Sequence, residues 1–130
     1  MELNQAAKRL RVYLGEADRV KHTALHEVLV REARRAGLAG ATAWRGILGF
    51  GPASRIRSER ILDLSSDLPV VVEIVDEAEK IERFLPVLHD LFEAAGCGGM
   101  TTLEDVRVIR YAHGKGSGGT DPARSGDVPS

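Results

Sequence analysis

Hydrogen-bond donors are concentrated in one stretch of the chain, residues 49–60, which reads GFGPASRIRSER. Two glycines there can bring backbone amides close to a ligand, and the hydroxyl and guanidinium groups that follow can donate hydrogen bonds to phosphate oxygens. The stretch therefore predicts a binding site for a phosphate-like anion, opposed by a single acidic residue, Glu59. The candidate binding residues are Gly49, Gly51, Ser54, Arg55, Arg57 and Arg60.

Two common phosphate-binding motifs do not fit this stretch. The Rossmann fingerprint needs a third glycine and a helix N-terminus after the first two, and a Walker loop needs Gly-Lys-Ser/Thr; the sequence has neither. A second interpretation therefore stays open, in which the glycines make turns and the arginines pair with acidic residues of a neighbouring subunit.

Two histidines and one cysteine are further candidates for chemistry. His22 and His26 are four residues apart at the start of a predicted helix, a spacing that places two imidazoles on one face as metal ligands. No third ligand accompanies them, so solvent-facing or capping histidines are the competing interpretation, and we assign no metal site. Cys97 lies in a glycine-rich turn without a base or cation nearby in the sequence, which favours an unreactive thiol.

Two aromatic residues on predicted edge strands, Trp44 and Tyr111, have the type of side chain that stacks on a base. Packing at a subunit interface is favoured instead, because the aromatic signatures of RNA-binding domains are missing. No nucleophile, general base and orienting group occur together in the sequence. We therefore expect no catalytic residues and a protein that is not an enzyme.

Hydrophobic periodicity predicts the elements that position these residues, in the order strand, helix, strand, strand, helix, strand. The predicted strands are residues 8–15, 41–48, 68–75 and 103–111, and the predicted helices are residues 23–36 and 77–95. Asp76 and Glu79 have capping-box spacing at the start of the second helix, and Pro86 inside it predicts a kink or two short helices. The run VVVEIV in the third strand predicts burial on both faces.

Two such β-α-β halves in one chain describe the ferredoxin-like split β-α-β plan, an α+β fold. It has a four-stranded antiparallel sheet with both helices on one face, and the first and third strands are central. The second and fourth strands are edges that must be protected or paired with another chain. We therefore expect an oligomer.

The second and third strands are separated by residues 49–67, which we call the arm. A connection of this length in a compact domain is usually functional or mobile. Its rear part, ILDLSSD, predicts an extension of the third strand as a ribbon that ends in a turn. The expected organisation is an N-terminal extension (residues 1–7), one domain (residues 8–113) and a disordered tail (residues 114–130) whose composition is too polar to form a core.

Composition and charge exclude several classes of protein. The chain has 130 residues, a net charge of −1 and one cysteine. A single domain fits this length, the near-neutral charge gives no field for nonspecific binding to nucleic acid, and one cysteine allows no internal disulfide. The sequence has no apolar run long enough to span a bilayer and no signal-peptide pattern. We expect a cytoplasmic protein that binds no nucleic acid.

Three stretches of the sequence read RGILGFGPASRI, LDLSSDLPVVVEIVDEAEKIERFLPVL and TTLEDVRVIRY, and GEADR and REARRAGLAGAT precede them. Together they resemble the PII-like family catalogued as domain of unknown function one-ninety, and the resemblance covers residues 8–111. The resemblance implies a homotrimer related to PII signalling proteins. It also implies that adenine nucleotides bind in clefts between subunits and that the arm engages partner proteins.

The resemblance adds a second loop to the predicted site. PII proteins have a basic glycine loop between the second helix and the last strand, and this chain reads GCGGMTT there, without lysine. Backbone amides and hydroxyls can still bind phosphate at Gly98, Thr101 and Thr102. Since fewer cations face the phosphates than in PII, AMP or ADP is expected rather than ATP. The chain also differs from the family's common pattern at Ala53 and Arg57.

The function predicted from residues and resemblance together is that of a trimeric sensor. A nucleotide is its ligand, no other cofactor is required, and binding orders the arm, which docks on or releases a target protein. The resemblance suggests a membrane transporter or channel, such as a fluoride channel, as the target. The alternative is a structural or metal-responsive trimer that binds no nucleotide.

Overall fold

The computed structural model describes residues 6–52, 56–58 and 67–114. The predicted site residues Ser54, Arg55 and Arg60, most of the predicted ribbon and the predicted tail beyond residue 114 lie outside this range. The elements in chain order are β1 (Ala7–Gly15), β2 (Arg19–Val20), β3 (Thr23–Ala24), α1 (Leu25–Arg35), β4 (Thr42–Arg45), β5 (Leu48–Gly49), β6 (Arg57–Ser58), β7 (Pro69–Glu77), α2 (Ala78–Ala95) and β8 (Met100–Val106).

The four long strands form one antiparallel sheet in the order β4-β7-β1-β8. The two central strands pair along their full length, from Ala7 opposite Glu77 to Gly15 opposite Pro69. The order confirms the ferredoxin-like α+β fold, with the first and third long strands in the centre and β4 and β8 at the edges. Two short ribbons, β2–β3 and β5–β6, lie outside this sheet.

Both helices cover the same face of the sheet. Alternate residues of the central strands are buried, which is the two-residue period of a strand with one covered face. They pack in a single cluster with apolar residues of both helices, so the core lies between the sheet and the helix layer. The buried residues are Leu10, Val12 and Leu14 from β1; Val70, Val72 and Ile74 from β7; and Leu25, Leu29, Ala33, Ile81, Phe84 and Leu88 from the helices.

The opposite face of the sheet, which we call the open face, is left uncovered by the residues that the structure describes. Val71, Glu73 and Val75 of β7 are only half-buried, so the prediction that this strand is buried on both faces is wrong for the single chain. No helix of the described residues covers this face, and charged pairs such as Arg11–Glu73, with 2.9 Å between Nε and Oε1, lie across it. The β-branched run therefore marks a central strand rather than a strand with two covered faces.

Asp76 is not the N-cap of α2, and that prediction is wrong. The helix begins at Ala78, and the ladder of β7 with β1 continues to Glu77, so Asp76 is still in the strand. Its side chain is 1% exposed and accepts hydrogen bonds from the amides of Ala39 (2.9 Å) and Glu77 (2.6 Å). The carboxylate therefore joins the loop after α1 to the start of α2 instead of capping the helix.

Pro86 lies inside one continuous helix, α2, and the alternative of two short helices is wrong. Proline removes the hydrogen bond to the carbonyl four residues earlier, which is that of Glu82. Pro86 and Glu82 are both on the exposed side of the helix. Water can satisfy the freed carbonyl there, and the helix continues to Ala95.

Two predicted strands have different bounds in the structure. The second strand ends at Arg45 rather than at residue 48, because Leu48 leaves the sheet and pairs with Ser58 in the β5–β6 ribbon. The last strand ends at Val106 rather than at residue 111, because its pairing partner β1 begins at Ala7, opposite Val106. Tyr111 is therefore not on an edge strand, and its hydroxyl donates a hydrogen bond to the carbonyl of Ala39 at 3.2 Å.

The helix termini agree better with the sequence. Gly37, with a φ of 80°, follows the end of α1, and Gly96, with a φ of 65°, caps the C-terminus of α2 in the left-handed conformation. Neither helix of the described residues combines the length and the apolar character that crossing a membrane requires.

Candidate functional site

A cavity of about 480 Å³ lies between the base of the arm and the turn that follows α2. We call it the arm cavity, the described residues 49–52 and 56–58 the arm base, and residues 96–99 the glycine turn. The ends of the three strands β1, β7 and β8 form its floor. Its lining includes Gly49, Phe50, Gly51, Pro52 and Arg57 from the arm base, Gly98 and Gly99 from the glycine turn, and Tyr13, Gly15, Asp18, Val71 and Met100 from the floor and its rim.

The arm base is positioned by the start of β7. The amide of Gly46 donates a hydrogen bond of 2.7 Å to the carbonyl of Pro69. A Cβ at Gly46 would lie 3.1 Å from Cγ of Pro69, so the chain passes close to that ring. Beyond this point the β5–β6 ribbon sets Gly49 opposite Arg57. The predicted phosphate-binding glycine and guanidinium therefore come from paired positions of one ribbon.

The glycine turn rests directly on the end of β1. A Cβ at Gly99 would be 2.7 Å from the carbonyl oxygen of Tyr13 and 2.8 Å from the ring of Phe92, distances that real Cβ atoms do not adopt. A Cβ at Gly98 would meet Pro52 of the arm base at 3.9 Å, an ordinary contact. The two walls of the arm cavity therefore come together within a single chain.

Residues 15–18, which we call the acidic turn, connect β1 to the far end of the arm. The turn is closed by a hydrogen bond of 2.8 Å from the Gly15 amide to Oδ2 of Asp18. The amide of Ala17 donates to Oδ1 of Asp67 at 3.0 Å. Asp67 is the last residue of the arm, so the turn holds the arm where it returns to the sheet.

Arg57 brings a positive charge into the arm cavity. Its guanidinium approaches Gly15 through Nη1, since a Cβ there would be 1.6 Å from Nη1 and 2.5 Å from Cζ. Nε is 3.6 Å from Oδ2 of Asp67, which makes an ion pair but exceeds hydrogen-bond distance. Nε is also buried, and it has no hydrogen-bond acceptor among the described residues.

A second, shallower cavity of about 430 Å³ lies on the helix side of the glycine turn, against α2. Cys97, His89 and Thr101 are among its lining residues. Burial raises the pKa of the Cys97 thiol, and the nearby Asp18 carboxylate raises that pKa further. The thiol is therefore protonated at neutral pH, which agrees with the expectation of an unreactive cysteine.

The structure brings together four of the eight predicted nucleotide-binding residues. Gly49, Gly51, Arg57 and Gly98 line the arm cavity. Thr101 lines the second cavity, on the helix side of β8. Thr102 lies opposite Arg11 on the open face of the sheet and is not among the described residues that line either cavity. Ser54 and Arg55 lie outside the described residues.

Sequence reasoning missed four residues that build the site, Gly15, Asp18, Asp67 and Gly99. Gly15 and Asp18 carry a local signal in the sequence, because an aspartate three residues after a glycine that ends a strand often closes a turn with its side chain. Gly99 is in the predicted second loop, GCGGMTT, but nothing in the sequence distinguishes it from Gly98. The pairing of Asp67 with Arg57 has no local signal, because ten positions of chain separate the two residues.

The two histidines do not form the metal site that their spacing offers. His22 is in the turn before β3, and His26 is in the first turn of α1, so they do not share a helical face. Within residues 6–52, 56–58 and 67–114, no group of three or more His, Cys, Asp or Glu side chains is placed to hold a metal ion.

Solved structures with a similar fold are PII-like proteins. A nitrogen regulatory PII-like protein of Thiomonas intermedia, CPII, bound to ADP, AMP and bicarbonate, matches with a TM-score of 0.62 and 20% identity over 81% of this chain and 90% of that chain. A putative PII-like signaling protein of Thermus thermophilus matches with a TM-score of 0.58 and 21% identity, covering 81% and 91% of the two chains. At these identities the likeness establishes a PII-like fold.

Proteins with similar amino-acid sequences identify the family. A UPF0166 protein of Aquifex aeolicus is 41% identical over 102 residues, covering 78% of this chain and 92% of that protein. Another, from Methanocaldococcus jannaschii, is 36% identical over 104 residues and covers 80% and 93% of the two chains. Residues 7–108 match the family DUF190, described as "Uncharacterized ACR". The chain therefore belongs to the DUF190 (UPF0166) family of PII-like fold.

Proposed function

We propose that this protein is a PII-like regulator that binds an adenine nucleotide in the arm cavity. The observation that carries the proposal is the convergence of two glycine segments and the Arg57 guanidinium around one space of about 480 Å³. Cavities of roughly 300–1,000 Å³ with a few polar groups on apolar walls are typical of small-molecule sites. Backbone amides of Gly49, Gly51 and Gly98 suit phosphate oxygens, and apolar lining residues such as Phe50 suit the adenine ring.

The charges of the cavity favour AMP or ADP over ATP. Among its described lining residues Arg57 is the one cation, and the Asp18 carboxylate lies at the rim. Each additional phosphate adds negative charge that one guanidinium cannot balance. The ADP and AMP named for the Thiomonas intermedia structure support an adenylate as the class of ligand.

The proposed assembly is a homotrimer in which neighbouring subunits complete the nucleotide cleft. The open face of the sheet supports this, because Trp44, Tyr13, Val71 and Met100 lie on it incompletely buried, and Trp44 is 42% exposed. Among the described residues no strand pairs with the outer sides of β4 and β8, and a second copy can cover them. The remaining predicted contacts, Ser54, Arg55, Thr101 and Thr102, belong to this cleft in the proposal.

In the proposal the protein binds its ligand without catalysing a reaction. The arm transmits the ligand-bound state to a target protein. The arm begins at the arm cavity with Gly49, and Arg57, which also lines the cavity, pairs with Asp67 at the end of the arm. A ligand that contacts one arm conformation more than another shifts the arm between conformations. The arm then docks on or releases a target protein, for which the family resemblance suggests a membrane transporter or channel.

Isothermal titration calorimetry of the full chain with AMP, ADP, ATP, cyclic nucleotides and divalent metals tests the proposal. We expect saturable heat with ADP and AMP, at least about tenfold weaker in Arg57→Gln, because a charge-assisted bidentate contact is lost. The double variant Ser54→Ala plus Arg55→Ala is also expected to bind more weakly. Arg45→Gln is the matched control, since Arg45 pairs with Glu16 at 2.6 Å outside the arm cavity.

Two results would overturn the proposal. One is the absence of heat with every nucleotide at millimolar concentration from a chain that is folded by circular dichroism. The other is equal nucleotide affinity in Arg57→Gln and Arg45→Gln. Heat from metals alone that disappears in His22→Ala would support the metal-responsive alternative instead.

A further inference from the structure

The arm cavity contains a carboxylate that phosphate binding does not explain. Asp18 lines the cavity together with Arg57 and the two glycine segments. A carboxylate repels phosphate, and among the described residues Arg57 pairs with Asp67 rather than with Asp18. The Asp18 carboxylate therefore does not serve to neutralise the guanidinium, and its place in the cavity suits a part of the ligand other than a phosphate.

The position of Asp18 is fixed by its own turn. The amide of Gly15 donates a hydrogen bond of 2.8 Å to Oδ2, and the Asp18 amide donates back to the Gly15 carbonyl at 3.1 Å. The Asp18 carbonyl accepts a hydrogen bond of 2.8 Å from the amide of Leu25, the first residue of α1. The residue is therefore held between the end of β1 and the start of α1 before any ligand binds.

The Asp18 carboxylate can accept more hydrogen bonds than its own turn provides. An ionised carboxylate has about four lone-pair sites on its two oxygens, and the Gly15 amide occupies one of them. The charge of Asp18 also reaches the Cys97 thiol of the glycine turn, whose pKa is raised by burial and, next, by Asp18. A thiol is a weak donor, so a hydroxyl group of a ligand would be a stronger partner.

Asp18 and Arg57 are neighbours because both lie against Gly15. The Gly15 amide binds Oδ2 of Asp18, and a Cβ on Gly15 would be 1.6 Å from Nη1 of Arg57. In a nucleotide the ribose is joined directly to the phosphates, and the base is one group farther away. A phosphate at Arg57 therefore places the ribose nearer to Asp18 than the adenine. An acidic side chain that accepts a hydrogen bond from a ribose hydroxyl is also the contact that dinucleotide-binding folds use.

We infer that Asp18 accepts a hydrogen bond from a ribose hydroxyl of the bound nucleotide and makes the arm cavity selective for ribonucleotides over their deoxy analogues. The inference rests on the proposed function and adds the residue that recognises the sugar. Arg57 and the glycine amides hold the phosphate, and the fixed acidic turn holds the acceptor for the ribose. The two contacts together set the direction in which the nucleotide lies in the cavity.

Calorimetric titration of the full chain with ADP, 2′-deoxy-ADP and 3′-deoxy-ADP tests the inference. The three ligands carry the same charge, so a difference between their affinities does not arise from repulsion between phosphate and carboxylate. We expect at least one deoxy analogue to bind wild type about tenfold or more weakly than ADP, because a hydrogen bond to a charged acceptor is lost. This comparison needs no variant, so it does not depend on the folding of one.

Asp18→Asn assigns the discrimination to the carboxylate. The side-chain oxygen of the variant can still accept from the Gly15 amide, and its other polar group is a donor instead of an acceptor. The preference for ADP over the deoxy analogue should fall to within about threefold, whatever the change in ADP affinity itself. Glu16→Gln is the matched control, since it removes the same charge from the same turn, and its partner Arg45, at 2.6 Å, does not line the arm cavity. This control should keep the full preference.

Three results would overturn the inference and leave nucleotide binding in place. One is equal affinity of wild type for ADP and both deoxy analogues. Another is an undiminished preference in a folded Asp18→Asn variant, because a different residue would then recognise the ribose. The third is an equal loss of preference in Glu16→Gln. An absence of heat with ADP, in contrast, would overturn the proposed function and the inference with it.

Discussion

The two walls of the arm cavity are held in place by different physical means. The glycine turn is held by close backbone approach, since a side chain at Gly99 would collide with Tyr13 and Phe92. The arm base is paired as the β5–β6 ribbon, and the Arg57 guanidinium that it contributes to the cavity is held by an ion pair with Asp67. Steric contact does not depend on salt, whereas a partly exposed ion pair is screened by salt and can exchange partners. From this difference we expect the glycine turn to stay fixed and the contacts of Arg57 to change when a ligand binds.

This difference assigns separate roles to the walls. A fixed wall holds backbone amides in place before the ligand arrives, which lowers the entropic cost of binding. A wall held by charge changes its contacts when a new charge enters. A regulator needs both properties, because its ligand must be recognised and its binding must alter another surface.

The largest expected effect is on the fixed wall, in Gly99→Ala. The new methyl group would lie 2.7 Å from the Tyr13 carbonyl oxygen, so backbone must move. We expect the free energy of unfolding to fall by roughly 1–3 kcal/mol, measured by urea denaturation. Gly98→Ala is the matched control and should change it by less than about 0.5 kcal/mol, since its methyl group makes an ordinary contact. Equal losses in both variants would mean that the close approach at Gly99 is not what holds the glycine turn in place.

The next effect is on the responsive wall, in Gly15→Ala. Its methyl group would lie 1.6 Å from Nη1 of Arg57, and because the obstacle is the end of a flexible side chain, the guanidinium moves rather than the backbone. We expect ADP affinity to fall about tenfold, while the unfolding free energy changes by less than about 1 kcal/mol. Gly40→Ala, which meets open space, is the control for affinity. Unchanged ADP affinity in Gly15→Ala would mean that the Arg57 guanidinium does not contact the ligand.

A smaller effect is expected where the acidic turn approaches the glycine turn. The Asp18 carboxylate adds to the burial that raises the pKa of the Cys97 thiol, so Asp18→Asn should lower that pKa without restoring its ordinary value. At a fixed pH below the pKa, a lower pKa means more thiolate, and alkylation by iodoacetamide should be a few-fold faster. Asp90→Asn on the exposed side of α2 is the control. A slower or unchanged alkylation rate in Asp18→Asn would mean that the Asp18 carboxylate does not raise the pKa of the Cys97 thiol.

The smallest effect lies away from both walls, on the open face of the sheet. Arg9 holds the pKa of Glu104 below its usual range, first through a hydrogen bond and then through its charge. A lowered pKa means that the pair stabilises the fold above the ordinary pKa of glutamate and loses this contribution as pH falls through the folded pKa. Arg9→Gln should raise the Glu104 pKa toward the ordinary value, measured by NMR titration of the carboxyl carbon. A pKa that does not move would mean that the pair is not formed in solution.

The sequence predicts the fold where neighbouring residues determine the structure. Leu10, Val12 and Leu14 alternate along a strand, and a β-branched run marks its central neighbour. Gly37 and Gly96 end the helices because a left-handed residue is needed there. These features depend on local periodicity and backbone freedom, which a single sequence contains.

The predictions from the sequence are wrong where contacts between residues far apart in the chain determine the structure. Asp76 has capping-box spacing, but the Ala39 amide, which is remote in sequence, binds its carboxylate. The end of β8 is set by where β1 begins rather than by its own residues. For the candidate site, donor chemistry in the sequence was enough to select Gly49, Gly51 and Arg57, which line the arm cavity. The Arg57–Asp67 pair could not, because it requires the return path of the arm.

A crystal structure of the protein grown with ADP would locate the nucleotide itself. We expect ADP in the arm cavity, with phosphate oxygens within hydrogen-bond distance of the amides of Gly49, Gly51 or Gly98 and of the Arg57 guanidinium. ADP bound at a different place on the chain, with the arm cavity empty, would contradict nucleotide binding in this cavity.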